Sequence, residues 1–277
     1  MKAAVVGHVE VVQFMRVPSM PRPGDIVHAV DFWELPAGGG PGAAVQLRKL
    51  AGNCTLFTAL GDDEFGHAAF DDLSALGLKV EAVFQPEATR RAVTHVDDTG
   101  ERTITVLGAR LAPSGDDDLP WNELDEAGAV YFTAGDVSAL RLARHAGILV
   151  ATARVLNVLA AAKVELDALV GSALDPAETY RDGDIEPPPR LVVQTSGDTG
   201  GAFQVRGGPR EEFAAPALDD GRIVDRYGAG DSFAGGLTYA LGAEYTTEEA
   251  ISFAARCGAA ALYGRGPYEG QLSNLRE

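Results

Sequence analysis

Between Asp225 and Leu237 the chain reads DRYGAGDSFAGGL, and no other stretch places residue types so well for chemistry. Gly228, Ala229 and Gly230 form a turn that runs directly into Asp231. Behind the turn, Phe233, Leu237 and Leu241 recur at i, i+4 and i+8, the period of a helix with one buried face. Small residues let a ligand come close to the backbone. The N–H groups of a first helical turn have no partner inside the helix, so the turn is built to receive an anion. Asp231 is the carboxylate inside it. A carboxylate held against a bound phosphate is costly unless it acts. The economical role is a general base that takes the proton from an alcohol as its oxygen attacks a phosphoryl group. On these residues alone a helix-capping aspartate is an equal reading, and the rest of the chain must decide.

The elements that would position this turn can be read from composition and pattern. At 277 residues, 46% hydrophobic and 23% charged, the chain suits one large α/β domain with an appendage, or two small domains. A net charge of −17 argues against a nucleic-acid or anionic-membrane surface. It leaves room for a nucleotide, whose phosphates can be held by backbone N–H groups. Cys54 and Cys257 form no CxxC and read as reduced thiols. The apolar run in MKAAVVGHVEVVQF is short and broken by His8 and Glu10, so no secretion signal and a cytoplasmic location are expected.

Strands are expected over Ala3–Val6, Val11–Val17, Ile26–Trp33, Thr55–Leu60, Val130–Thr133, Ile148–Ala151, Ala168–Val170 and Leu191–Thr195. Helices are expected after Gly38–Gly42 and over about His67–Leu76. Asp97-Asp98-Thr99-Gly100 joins Ala92–Val96 to Arg102–Leu107 as a hairpin. Strand-helix alternation implies an α/β fold, a mostly parallel sheet sandwiched by helices. The hairpin and the extended segment do not fit that alternation and are assigned to a small β lid, 13–35 and 88–108, with 1–12, 36–87 and 109–277 forming the large domain. There is no GxxxxGK[ST], HExxH, GxSxG or paired-Cys signature.

Several pieces, in order, resemble the ribokinase-like (PfkB) family of carbohydrate and nucleoside kinases. VVGHVEVVQFMRVPSMPRPGD is similar to its opening strand, first lid strand and PxPGE/D turn. AGGGPGAAVQLRKLAG resembles its glycine-pair helix, and LGDDEFG its GxDxxG turn. GERTITV is similar to the returning lid strand, VVQTSGDTGG to the strand carrying a TxGxxG turn, and DRYGAGDSFAGG to the DTxGAGD signature. The resemblance implies that Asp231 is the catalytic base and that Gly228, Ala229 and Gly230 form the anion hole. It implies that Thr195, Gly197 and Gly200 line the nucleotide phosphates and that Arg226 lies beside them. Asp225 would anchor the loop and, in relatives with a monovalent-cation site, help hold K+. Cys257, Gly258 and Tyr263 would pack near the adenine. Gly38 and Gly39 would let the sugar approach. ATP with Mg2+ is implied as phosphoryl donor, and a homodimer through the lid as an assembly.

Departures from the family pattern concern the acceptor. Glu10 and Val12 stand where ribose-binding relatives carry an Asn-x-Asp pair, and Ala43 replaces an Asn. Ribose is therefore not the expected substrate. His8, Glu10, Gln13, Trp33 and Arg110 are candidates for a different pocket. The NxxE motif is matched best by Ser172-Ala-Leu-Asp175, a weaker water-mediated Mg2+ site. A kinase acting on a primary hydroxyl of a small sugar or polyol is the leading expectation. A nucleoside kinase, with Phe32 and Trp33 in an aromatic pocket, is the alternative of the same class. A kinase fold kept as a metabolite sensor is the alternative of another.

Overall fold

The computed structural model describes residues 1–219 and 222–274. In chain order the strands and helices are β1 (Ala3–Val6), β2 (Glu10–Arg16), β3 (Asp31–Ala37), α1 (Gly39–Ala51), β4 (Thr55–Gly61), α2 (Glu64–Ala75), β5 (Lys79–Gln85), β6 (Arg91–Val96), β7 (Arg102–Leu107), β8 (Ala129–Phe132), α3 (Val137–Ala143), β9 (Ile148–Thr152), α4 (Leu156–Ala162), β10 (Ala168–Ser172), β11 (Leu191–Thr195), β12 (Gly201–Val205), β13 (Arg210–Phe213), α5 (Ala229–Gly242) and α6 (Thr247–Ala261).

β1 shows why the large sheet forms. Its alternate residues point to opposite faces. Ala3 and Val5 join a core layer with α1, α5 and α6, while Ala4 and Val6 join a second layer with α3 and α4. A strand buried on both faces can be apolar throughout, and its neighbours are parallel because helices return the chain across the faces. The sheet runs β13-β12-β11-β10-β9-β8-β1-β4-β5. It is parallel from β11 through β5, and β12 and β13 add on as antiparallel edge strands.

The second sheet has the order β3-β2-β6-β7 and is mixed, since β2 and β6 run parallel. Val12, Phe14, Ala92, Val96 and Tyr227 form its own small core. The strand expected over Ile26–Trp33 is displaced: β3 begins at Asp31, and Ile26 stands almost fully exposed. Its length is set by β2, which it pairs residue for residue from Arg16↔Asp31 to Glu10↔Ala37. The small sheet therefore extends past the expected 13–35 segment at both ends. β5, β12 and β13 are further strands that the sequence pattern did not single out. Among the described residues no helix is long and apolar enough to cross a membrane.

Candidate active site

The carboxyl ends of β1, β8, β9 and β10 open onto one region, the edge at which open α/β sheets bind ligands. Two long helices, α1 and α5, begin there without side-chain caps, whereas α2 is capped by Asp63 and α6 by a Thr246–Glu249 capping box. The uncapped N–H groups are thus free for a ligand. α5 starts from Gly228, which holds φ 81° and lies so close to Pro267 that a Cβ would come within 2.9 Å of its Cα. Only glycine takes that conformation without strain. Gly230 faces open space.

Asp231 stands in the first turn of α5 and is backed by the first turn of α1. A Cβ on Gly42 would lie 2.7 Å from the Asp231 Cβ, and one on Gly39 would lie 2.6 Å from Thr133 Oγ1 and 3.5 Å from Asp231 Oδ1. Gly39 and Gly42 of GGGPG therefore serve first to admit this carboxylate. Burial, and after it the charge of Glu178, raises the Asp231 pKa to about 6, against the opposing pull of Arg102 and Arg154. That value suits a base working near neutral pH.

On the lid side, His8, Glu10 and Gly38 come together: a Cβ on Gly38 would lie 3.1 Å from His8 Nε2 and 3.4 Å from Glu10 Cγ. Glu10 forms an ion pair with Arg90 at 2.9 Å, and Tyr227 Oη lies 3.5 Å away. His8 is held neutral. Burial and then Arg110, Arg90 and Arg154 lower its pKa to about 3. Arg110 is half-buried, and its Nε has no hydrogen-bond partner.

The remaining expected residues sort by their surroundings. Asp225 is buried and accepts from the N–H groups of Tyr227 (2.9 Å) and Gly266 (3.0 Å), which pins the loop ahead of the turn. Arg226 pairs with Glu101 of the lid hairpin at 2.9 Å. Thr195 ends β11 beside Ser172, and Gly197–Thr199 make a short 3-10 turn that closes on Gly200. Cys257 lies fully buried between α5 and α6, against Gly236, so it packs the core and lines no surface. Gly258 backs the Ala229 carbonyl, and Tyr263 Oη accepts from the Asp219 N–H. Asp175 caps the 3-10 turn Pro176–Glu178 and binds Arg154 at 2.7 Å.

Four residues escaped sequence reasoning. Glu178 binds Arg154 and accepts from the Ser172 N–H at 2.8 Å, and its charge reaches Asp231. It lies outside the 172–175 window in which an acid was sought. Arg154 lies two residues past β9, behind the three small residues Ala151, Thr152 and Ala153. Thr133 and Arg90 carry no motif. Each stands at a strand end, and that position is the signal that could have found them.

The sequence profile of the pfkB family carbohydrate kinases matches residues 1–163 and 145–273. The ATP-dependent ribose-1-phosphate kinase of Halopiger xanaduensis is 30% identical over 241 residues, 80% of this chain and 79% of that protein. Among solved structures, the ribokinase of Thermotoga maritima superposes with a TM-score of 0.75 at 20% identity, covering 98% and 96% of the two chains. The Arabidopsis thaliana ribokinase complexed with ribose and ATP gives 0.73 at 20% identity over 98% and 95%. These structures share the fold: a large sheet between helices with a small second sheet. The chain belongs to the PfkB family of carbohydrate kinases, phosphotransferases with an alcohol group as acceptor.

Proposed function

We propose that this protein moves the γ-phosphoryl group of ATP to a primary hydroxyl of a small sugar or related polyol, with Asp231 as general base. The observation that carries this reading is the Asp231 carboxyl, poised near pH 6 where the uncapped starts of α5 and α1 meet. The acceptor hydroxyl gives its proton to Asp231. Its oxygen attacks the γ-phosphorus from the Gly38–Gly39 side, and the N–H groups of Gly228–Gly230 receive the charge that develops on the phosphoryl oxygens. Thr195, Gly197 and Gly200 would hold the nucleotide phosphates. Closure of the lid would exclude water, which otherwise hydrolyses ATP.

The residues present fit an ion carried in by ATP. Among the described residues no group of three or more His, Cys, Asp or Glu side chains is placed to hold a metal by itself. Ser172, Asp175 and Glu178 are the side chains that would steady the water shell of Mg2+. That ion supplies charge neutralisation at the phosphates when bound. A K+ dependence of the rate would place a monovalent cation beside Asp225.

A nucleoside acceptor is disfavoured by Trp33. One face of its ring stacks on Phe14 at 5.1 Å, and Arg265 lies 3.8 Å from its centroid, so neither face is free for a base. A metabolite sensor is disfavoured by Asp231 itself, since a binding module gains nothing from a carboxylate against an anion site.

ADP release from ATP and Mg2+, measured across sugars and polyols beside Asp231→Asn, tests the assignment. Turnover should fall about 10³-fold or more in the variant while the fold is kept. Acceptor-dependent turnover near that of the unaltered protein in Asp231→Asn would sink it.

A further inference from the structure

We propose that Gln271 is a positioning residue for phosphoryl transfer: its amide ties the first turn of α1 to the first turn of α5 and so fixes where the Asp231 carboxyl stands. This rests on the kinase reading above and adds to it the part that sets its geometry.

α1 and α5 meet almost backbone to backbone. A Cβ on Gly235 would lie 2.9 Å from the Ala43 carbonyl oxygen, just as one on Gly42 would lie 2.7 Å from the Asp231 Cβ. Glycine permits such an approach but supplies little attraction of its own. Both helices start at the same end of the sheet without side-chain caps, so the positive ends of their dipoles converge there and repel. A separate tie has to hold the two starts together.

Gln271 supplies it. The residue is buried, and its Nε2 donates to the Gly42 carbonyl at 2.7 Å and to Ser232 Oγ at 3.1 Å. Gly42 walls Asp231 from the α1 side, and Ser232 is the residue after Asp231. The amide thus spans the two elements between which the carboxyl sits. Its direction is fixed, since the reversed amide would turn Oε1 onto the Gly42 carbonyl, one acceptor against another. As it stands, Oε1 is buried with no partner among the described residues. A side chain kept for stability alone gains nothing from an orphaned acceptor. The backbone around Gln271 is anchored independently of it. The Leu272 carbonyl accepts from Gln46 Nε2 at 2.8 Å, Lys49 Nζ donates to the Tyr268 carbonyl, and the Asn274 N–H donates to the Lys49 carbonyl at 3.2 Å. Those contacts lay the segment 268–274 along α1, while Gln271 reaches both helix starts.

The tie can be cut without moving a charge. After burial, Asp231 is acted on by Glu178, Arg102, Arg154 and Glu10, and the buried, neutral phenols of Tyr131, Tyr227 and Tyr268 sense its charge in turn. Gln271→Met leaves all of these in place and nearly conserves volume, so its effect is one of position and hydration.

The test uses the full chain with ATP, Mg2+ and the best acceptor of the panel above. Gln271→Met should lower kcat about 10- to 100-fold with both KM values within about twofold, because the base is displaced while the substrates still bind. Its acid limb should move below about pH 6, since a loosened wall admits water and burial is what raises that pKa most. Tm should fall by about 2–4 °C. Asn274→Ala is the control for a structural role. It removes contacts to the Leu50 carbonyl (3.5 Å) and Tyr239 Oη (3.4 Å), so it should cost a similar Tm and leave kcat and the acid limb unchanged. An unchanged kcat and limb in Gln271→Met, or the same loss of kcat in Asn274→Ala, overturns the proposal. Should Gln271→Met not fold, Ser232→Ala removes the far end of the tie and is read in the same way. ADP release from no compound overturns the kinase reading. A carbon-13 NMR titration of the Asp231 carboxyl, identified by its loss in Asp231→Asn, then decides the tie: a pKa lower in Gln271→Met than in the unaltered protein supports it, and an equal or higher one overturns it.

Discussion

A carboxyl group that titrates near pH 6 has consequences for both rate and stability. With Asp231 as the proposed general base, its ionised form is the working form, so kcat should climb about tenfold per pH unit below about 6 and level off above it. Glu178 is the largest charge raising that pKa after burial. Glu178→Gln should therefore move the acid limb to lower pH, and a limb that stays put or moves up would contradict the coupling. The same shift acts on folding. The folded-state pKa lies above the ordinary 3.8, so the folded protein binds this proton more tightly than the unfolded chain. The stability gained is fully present below about 3.8 and is lost as pH rises through about 6. At pH 7 the ionised group costs about 3 kcal/mol. Asp231→Asn should raise Tm by a few degrees at pH 7 and by nothing near pH 4. Thermal scans at the two values check the sign, and the gain in stability should accompany the loss of activity.

The elements are held at the end of the sheet away from the site by a different carboxylate. Asp167, just ahead of β10, accepts from Arg144 at 2.7 Å, Arg190 at 3.1 Å and the Leu149 N–H of β9 at 2.8 Å. It is nearly buried, so its removal strands Arg144 and a strand donor together. Asp167→Ala should cost about 3–5 kcal/mol in urea unfolding yet leave the KM values unchanged below the transition. A loss under about 1 kcal/mol would show the network to be solvated. Much of this level was legible in the sequence. The apolar runs of β1 and β8 are unbroken because both their faces are covered. The Asp97–Gly100 turn announced its hairpin by turn chemistry. β13, as REEF, carries the charges of an exposed edge, so its pattern reads as loop. Within the site, Asp231 and its glycines could be read because their spacing is local. Glu178, Arg90, Arg154 and Thr133 escape a reading of spacing alone, because strand order brings them together across the molecule. Cys257 shows the converse error: a motif position near the nucleotide, occupied here by a core residue.

At the scale of the whole molecule, the two sheets meet through the segment that leads into the Gly228–Gly230 turn. Arg226 pairs with Glu101, its carbonyl accepts from Arg102 at 2.9 Å, and Tyr227 packs its ring edge-on to Phe14. The lid is thus fastened to the loop ahead of Gly228. Its apolar face is only partly covered. Residues paired across strands share a face, so Ile104 and Val106 of β7 lie on the face of Thr94 and Ala92. Those two are buried, whereas Ile104 and Val106 are 40% and 43% exposed on a strand exposed along its whole length. An open apolar edge strand invites pairing with another copy. The expected assembly is a homodimer through the lids. Light scattering at micromolar concentration should give about twice the 29.0 kDa mass of the chain. Ile104→Lys with Val106→Lys should return it to one chain without unfolding it, since neither side chain is part of the core. A single-chain mass for the unaltered protein at that concentration would remove the dimer, and the exposed edge would then be left to the chain's net charge of −17 to keep apart.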